Sequence, residues 1–332
     1  MGVCPTLSLV IPAYNEQGNL DKLYSELVGV FSQLDLSWEV IFVDDGSKDG
    51  TWSDIARLHQ QDHRVLGIRL SRNFGHQHAL VAGLTYARGH AVISMDADLQ
   101  HPPEVLPSLI HEWRKGSKIV KTVRRDPDNV PVFKRLTSRY YYRLFSYLSG
   151  IEMQGGMADF RLLDRQVLDQ MLQFKEAGLF LRGIVEWVGY PSAVVTFDCG
   201  PRFSGVTKYT LKRMIRFAWY GVSSFSLVPL RIGIVMGLTS SMIAFMGVVY
   251  AILGKLMDGD AVPGWASSLA IISFQFGVLF LFLAILAEYV GRILDEVRER
   301  PRFIVSERLT PDGSIEERPA LTVPETKGHR IG

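Results

Sequence analysis

Ala91-Val92-Ile93-Ser94-Met95 runs directly into Asp96-Ala97-Asp98-Leu99-Gln100, so an apolar stretch ends in two carboxylates and a side-chain amide. The apolar part predicts a buried strand, and open α/β sheets place their ligands at the carboxyl ends of strands. Carboxylates two apart with an amide beside them suit a hard, oxygen-seeking cation such as Mg²⁺ or Mn²⁺, which bridges protein carboxylates and phosphates. An Asp-x-Asp by itself commonly serves as a turn or cap. Its place after a strand is what favours the metal reading.

The same strand-then-acid pattern occurs twice upstream. Leu7-Ser8-Leu9-Val10-Ile11-Pro12 precedes Ala13-Tyr14-Asn15-Glu16, and Trp38-Glu39-Val40-Ile41-Phe42-Val43 precedes Asp44-Asp45-Gly46-Ser47. Between them Leu20, Leu23, Tyr24, Leu27, Val28 and Phe31 recur at helical spacing. Ile55 and Leu58 mark a second helix, Val65-Leu66-Gly67-Ile68 a third strand, and His78 to Ala87 a third helix. Strands alternating with helices predict βαβ units, an α/β fold and a mostly parallel sheet, and near-continuous apolar strands predict cover on both faces. Tyr14, Glu16, Asp44, Asp45, Asp96 and Asp98 would then share one acidic crevice. With no Gly-x-Gly-x-x-Gly and no Walker A lysine loop, the crevice is not a dinucleotide or P-loop site.

Pro12-Ala13-Tyr14-Asn15-Glu16, Val43-Asp44-Asp45-Gly46-Ser47 with Asp49-Gly50-Thr51, Arg72-Asn73-Phe74-Gly75-His76 and Met95 to Gln100 resemble, in this order, the signatures of family 2 glycosyltransferases with the GT-A fold. The resemblance implies a nucleotide-sugar donor, a divalent metal (Mg²⁺ or Mn²⁺) and inversion at the anomeric carbon. It assigns Pro12, Tyr14 and Glu16 to the base and ribose pocket, Asp45 to the nucleoside with Asp44 beside it, Asp96 to the ribose or metal, and Asp98 to the metal on the donor diphosphate. Gln100 matches a metal-proximal position in the polyprenyl-phosphate branch. Asp44 and Asn15 also suit helix caps. His76 and His78 look like a metal pair, but a helix-start or core role fits them better.

Met157-Ala158-Asp159-Phe160 followed by Arg161-Leu162-Leu163-Asp164-Arg165 resembles the acceptor-side segment of that branch, which includes bactoprenol glucosyltransferases and dolichyl-phosphate mannose synthases. There Asp159 is the candidate catalytic carboxylate. Phe180 to Gly183 and Trp187 to Tyr190 also resemble the branch. Arg202 and Lys208 fall in a segment resembling its mobile loop and would bind phosphate, with Arg124 and Arg125 as helpers by charge and position. The Gln-x-x-Arg-Trp of processive polysaccharide synthases is absent.

Leu211 to Tyr220 mixes cations with bulky apolar groups, as an interfacial helix does. Ile232 to Leu253 and Ser267 to Ala287 carry no charge, and each has about the 20 residues needed to cross a bilayer. Lys208, Lys212, Arg213, Arg216 and Arg231 precede them and Arg292, Arg298, Arg300 and Arg302 follow, whereas the connector holds Asp258 and Asp260 against Lys255. The positive-inside rule puts both flanks, both termini and the catalytic domain in the cytoplasm, on a multi-pass inner-membrane protein. The expected organisation is a GT-A domain over 1–200, a phosphate-binding loop and interface helix over 201–230, two spans over 231–290, and a C-terminal segment over 291–332. In this last part a short closing strand precedes a polar tail, disordered beyond Glu307, and the strand could pair with a second copy in a homo-oligomer.

A net charge of +2 over 332 residues, with acid in the crevice and base beside the spans, is not a nucleic-acid binder's pattern. Cys4 and Cys199 are too few for a disulfide framework, and the N-terminal apolar run, ending at Pro12, is too short for a signal peptide. The expected activity is transfer of one sugar, from UDP-glucose by likeness to bactoprenol glucosyltransferases, to undecaprenyl phosphate in the bilayer. Two alternatives stand beside it. A processive or polysaccharide-directed enzyme of the same fold is disfavoured by the missing Gln-x-x-Arg-Trp. A non-catalytic membrane scaffold binding nucleotide sugar is disfavoured by the intact set Asp45, Asp96, Asp98 and Asp159.

Overall fold

β1 (Leu7–Ala13), β2 (Trp38–Asp44), β3 (Val65–Leu70) and β4 (Ala91–Ser94) are rich in β-branched and large apolar residues, and every residue of β1, β2 and β4 is buried. Ser8 and Glu39 are polar members of this core. Ser8 Oγ donates to Glu39 Oε1 at 2.6 Å, and Arg88 closes on Glu39 Oε2 through Nε (3.0 Å) and Nη2 (2.5 Å). A buried carboxylate is thus paired and hydrogen-bonded, the condition under which burial is tolerated.

The computed structural model describes residues 5–124, 157–174, 181–198, 228–258 and 264–317. Three further strands are β5 (Ile119–Arg124), β6 (Met157–Asp164) and β7 (Ser192–Phe197), and the chain ends in β8 (Val305–Leu309) and β9 (Ile315–Glu317). They form one sheet in the order β7-β5-β6-β4-β1-β2-β3-β8-β9. The strands β4, β1, β2 and β3 are mutually parallel, and β5 is parallel to β7. β6 runs antiparallel to both β4 and β5. Its amino end therefore meets the carboxyl end of β4, and that reversal brings Asp159 to the edge where Asp96 emerges.

The helices are α1 (Asn19–Phe31), α2 (Thr51–Gln61), α3 (His76–Tyr86), α4 (Leu106–Arg114), α5 (Arg165–Leu172) and α6 (Leu181–Trp187). Leu20, Leu23, Leu27 and Phe31 of α1, Ile55 and Leu58 of α2, and Leu106, Leu109 and Ile110 of α4 share one core with Leu7, Leu9 and Ile11. α3 covers the opposite face. A Cβ on its Gly83 would lie 2.3 Å from Val10 Cγ1, so that helix approaches the sheet at a distance only glycine permits.

The C-terminal segment departs from expectation. Past Glu307 the chain continues β8 to Leu309, antiparallel to β3 of the same chain, and returns in β9. Glu307 fastens it: Arg69 Nη1 donates to Oε1 at 2.6 Å and Trp52 Nε1 to Oε2 at 3.1 Å.

α7 (Val228–Asp258) and α8 (Trp265–Val297) belong to a second unit. Leu230–Tyr250 and Ile271–Val297 are long and apolar enough to cross a membrane. The two helices meet through Ser240 Oγ and Gln275 Oε1 (2.5 Å), Gln275 Nε2 and the Ser240 carbonyl (2.8 Å), and Gly233 against Phe282. Small residues and interhelical hydrogen bonds are what hold helices together in lipid. Arg125, Cys199, Arg202, Lys208 and the helix expected at 211–220 lie outside the described residues.

Candidate active site

The β1 and β2 exits are laced together. Asn15 N donates to Ser47 Oγ (2.9 Å), Lys48 N to Asn15 Oδ1 (3.0 Å), Glu16 N to Thr51 Oγ1 (2.9 Å) and Gly50 N to Gln17 Oε1 (3.0 Å). Asn15 takes a left-handed φ of 55° to do this, a conformation that asparagine tolerates better than most residues. The lacing leaves Tyr14 exposed and Glu16 half-buried, while Pro12 is buried within β1.

Asp44 and Asp45 lie beneath this rim. Asp44 is wholly buried and its Oδ1 accepts from Ser47 N at 2.9 Å within the turn after β2; it caps no helix, since α2 begins at Thr51 with Gly50 at its N-cap. Its Oδ2 has no hydrogen bond among the described residues and faces Arg69 Nε at 3.6 Å. Asp45 spends both oxygens on the next loop, accepting from Phe74 N at 2.7 Å and Gly75 N at 2.9 Å. Gly46, at φ +69°, lets that loop in, since a Cβ there would lie 2.4 Å from the Arg72 carbonyl carbon. Burial pushes both carboxyls above their ordinary range, against the lowering effect of their hydrogen bonds.

Asp96 and Asp98 follow β4, both half-buried. Asp98 Oδ1 accepts from Gln100 N at 3.1 Å across Leu99, which is held at φ 61°. A left-handed leucine is costly, and such backbone clusters at functional sites. Burial raises the Glu16 carboxyl, the Asn19 hydrogen bond opposes this, and the charges of Asp98, Asp49 and Asp96 add to it. Glu16, Asp96 and Asp98 therefore share one field of negative charge, which an incoming cation would relieve. Among the described residues no three His, Cys, Asp or Glu side chains form a preformed metal cage. Two carboxylates and an amide nevertheless fit an ion such as Mg²⁺, which keeps several ligands for water and substrate phosphate.

Asp159, on β6, is buried and held by arginines. Oδ1 accepts from Arg161 Nη2 (2.5 Å) and Arg182 Nε (3.0 Å), and Oδ2 from Arg182 Nη2 (2.9 Å) and Gln77 Nε2 (3.3 Å). Burial alone would raise this carboxyl, but the two guanidiniums overcome it and hold the group well below the usual carboxylate range. It stays ionised and is a poor proton acceptor. Arg124 ends β5 on the same edge and is exposed.

Two histidines join this edge that the motif reading did not place there. His101 Nδ1 accepts from Asp96 N at 3.0 Å while its ring stacks on Phe160 at 4.9 Å, and burial pushes its pKa down. His76 opens α3 and stands between the two halves of the site, with Nε2 3.4 Å from Asp96 Oδ1 and 4.0 Å from Asp159 Oδ2. The sequence signal for His76 is its place at the end of the Arg72–His76 stretch.

The model of glycosyl transferase family 2 matches residues 8–172. An uncharacterized glycosyltransferase of Synechocystis sp. is 39% identical over 301 residues, covering 91% of this chain and 95% of that protein. The chain belongs to glycosyltransferase family 2. It is a glycosyltransferase with the GT-A fold. The bactoprenol glucosyl transferase derived from an SfII prophage of Shigella flexneri is 37% identical over 300 residues, covering 90% of this chain and 97% of the relative. Among solved structures, a mannosyltransferase from Pyrobaculum calidifontis aligns over 87% of this chain and 76% of its own, with 18% identity and a TM-score of 0.44.

Proposed function

We propose that this glycosyltransferase moves one sugar from a nucleotide sugar, UDP-glucose first, to a membrane polyprenyl phosphate, undecaprenyl phosphate, with inversion at the anomeric carbon. The observation that carries the acceptor is the span of the likeness to the bactoprenol glucosyl transferase. At 300 of 332 residues it takes in both apolar helices as well as most of the sheet. A lipid acceptor resides where such helices insert, and the enzyme is then a multi-pass protein of the inner membrane.

The chemistry of the edge agrees. The acceptor is a phosphate monoester with a second pKa of about 6, so it is an anionic nucleophile at neutral pH. Its oxygen bonds to the anomeric carbon as the bond to the donor diphosphate breaks, and no proton has to be removed. A general base is therefore dispensable, and Asp159, already committed to Arg161 and Arg182, positions cations around the reacting phosphates instead. Tyr14, Glu16 and Asp45 border the nucleoside pocket, with Asp45 acting through the loop it holds. Asp98, Asp96 and Gln100 are the residues that would hold Mg²⁺ or Mn²⁺, whose charge stabilises the departing diphosphate. Arg202 and Lys208, and Arg124 on the exposed edge, supply further positive charge to the phosphates.

The test is a panel of radiolabelled nucleotide sugars given to membranes containing the protein and a short-chain polyprenyl phosphate, followed by lipid extraction. One labelled sugar per lipid phosphate, made from UDP-glucose, is the expected product. Several sugars per acceptor would favour a processive enzyme, and donor binding without product would favour a scaffold.

A further inference from the structure

We infer that His76 contacts the hexosyl group of the donor and sets its position between the two halves of the site, an assignment that rests on the donor reading above. In that reading the nucleoside lies toward β1 and β2, the diphosphate toward Asp98, and the acceptor toward Asp159. The sugar being transferred then lies on the open side of the Asp96–Asp159 gap, against the His76 ring that fills it.

The imidazole is placed there by a rigid mounting. The two residues before it, Phe74 and Gly75, donate their N–H groups to the buried carboxylate of Asp45. The residue after it, Gln77, donates to Asp159 Oδ2 at 3.3 Å. Gly75 turns the chain at φ +100° into α3.

The ring itself stays available. Its side chain is 43% exposed, and its Nε2 lies 3.4 Å from Asp96 and 4.0 Å from Asp159. Both distances exceed or reach the limit of a hydrogen bond, so neither carboxylate consumes the donor. Asp159 already accepts from Arg161, Arg182 and Gln77, so the exposed imidazole is the group on this edge left to meet a sugar hydroxyl. A sugar hydroxyl approaching the exposed edge of the ring forms its hydrogen bond with Nε2.

The full-length protein in detergent, with Mn²⁺, is titrated calorimetrically with UDP and separately with UDP-glucose, for wild type, His76→Ala, His76→Phe and His76→Asn. His76→Ala and His76→Phe should weaken UDP-glucose binding about tenfold, the worth of one hydrogen bond, and leave UDP binding unchanged. His76→Asn, which restores a short polar group, should recover part of the loss. Equal weakening of both ligands would reduce His76 to a prop for Asp96 and overturn the inference. Undiminished UDP-glucose binding in all three variants would overturn it as well. A wild type that binds UDP but not UDP-glucose, or neither, would remove the donor reading itself, a pattern separate from either of these. The assay contains no acceptor, so the polyprenyl-phosphate reading is not at stake in it.

Discussion

Replacing Asp159 by Asn would leave Arg161, itself buried, without its counter-charge. Removing one partner of a buried ion pair costs roughly 3–5 kcal/mol, so Asp159→Asn should lower the melting temperature measurably. It should also reduce single-turnover transfer sharply, because misplaced cations lose near-attack geometry, while calorimetric binding of nucleoside diphosphate stays near normal. Equal loss of binding and turnover would move Asp159 to the donor pocket. The pH dependence has a definite sign. The folded-state pKa is depressed, so the stabilisation is complete above the unfolded carboxylate range, about pH 5, and is lost as pH falls through the lower value. Wild type should therefore lose more stability on acidification than Asp159→Asn in parallel thermal melts. Asp98→Asn should abolish transfer and leave the circular-dichroism melt intact, since Asp98 is half-buried and among the described residues accepts only from Gln100 N; full activity, or activity indifferent to EDTA, would remove the metal from the mechanism. The strand-end acids were legible because each follows an apolar run in the chain. The histidines were less so: residues two apart on a helix face different sides, so His76 reaches the site while His78 is half-buried, its Nδ1 without a hydrogen-bond partner among the described residues. Only the tertiary approach of α3 to β6 tells them apart.

The first four strands and three helices could be read from the chain because their periodicity is undisturbed. β6 could not be found by the same rule. β6 carries Asp159, Arg161 and Asp164 in eight residues, and charge inside a buried strand contradicts the apolar pattern that identifies one. Those charges are tolerated because they pair with one another and with Arg182, Trp113 and Lys118 across elements. Of β8 only the short closing strand was legible, not its continuation past Glu307 or its return in β9. Beyond Glu307 the chain looks like polar tail, yet Leu309 plugs the space above Gly67, where an added Cβ would meet it at 2.8 Å. Glu307 is the clasp of this element. Arg69 and Glu307 are each about one-third exposed, so screening limits their ion pair to about 1 kcal/mol, and the lost Trp52 bond adds about as much. Glu307→Ala should thus destabilise the sheet domain by about 2 kcal/mol in denaturant titration, with hydrogen exchange accelerated in β3. An unchanged midpoint would mean that β8 is held by its backbone pairing alone.

The return of the chain to the sheet constrains the topology we propose. Residues before α7 and residues after α8 both belong to one sheet, because β8 pairs with β3. A folded sheet cannot be divided between two sides of a bilayer, so any membrane crossings between these segments must be even in number, and two apolar helices satisfy that. The charge asymmetry of the flanks points independently to the same hairpin, with its connector outside. Nucleotide sugars are made in the cytoplasm, so this orientation also gives the acidic edge access to its donor. Impermeant thiol reagents test it directly. In a Cys4→Ser, Cys199→Ser background, Asp258→Cys should be labelled in intact spheroplasts. Native Cys199, in a chain lacking only Cys4, should be labelled only after lysis. The reverse pattern would place the sheet outside, away from its donor pool, and would end the reading of this chain as a cytoplasmic-face transferase. Labelling of both positions in intact cells would instead require that α7 and α8 not form a transmembrane hairpin, and the lipid acceptor would then have to be reached from the surface.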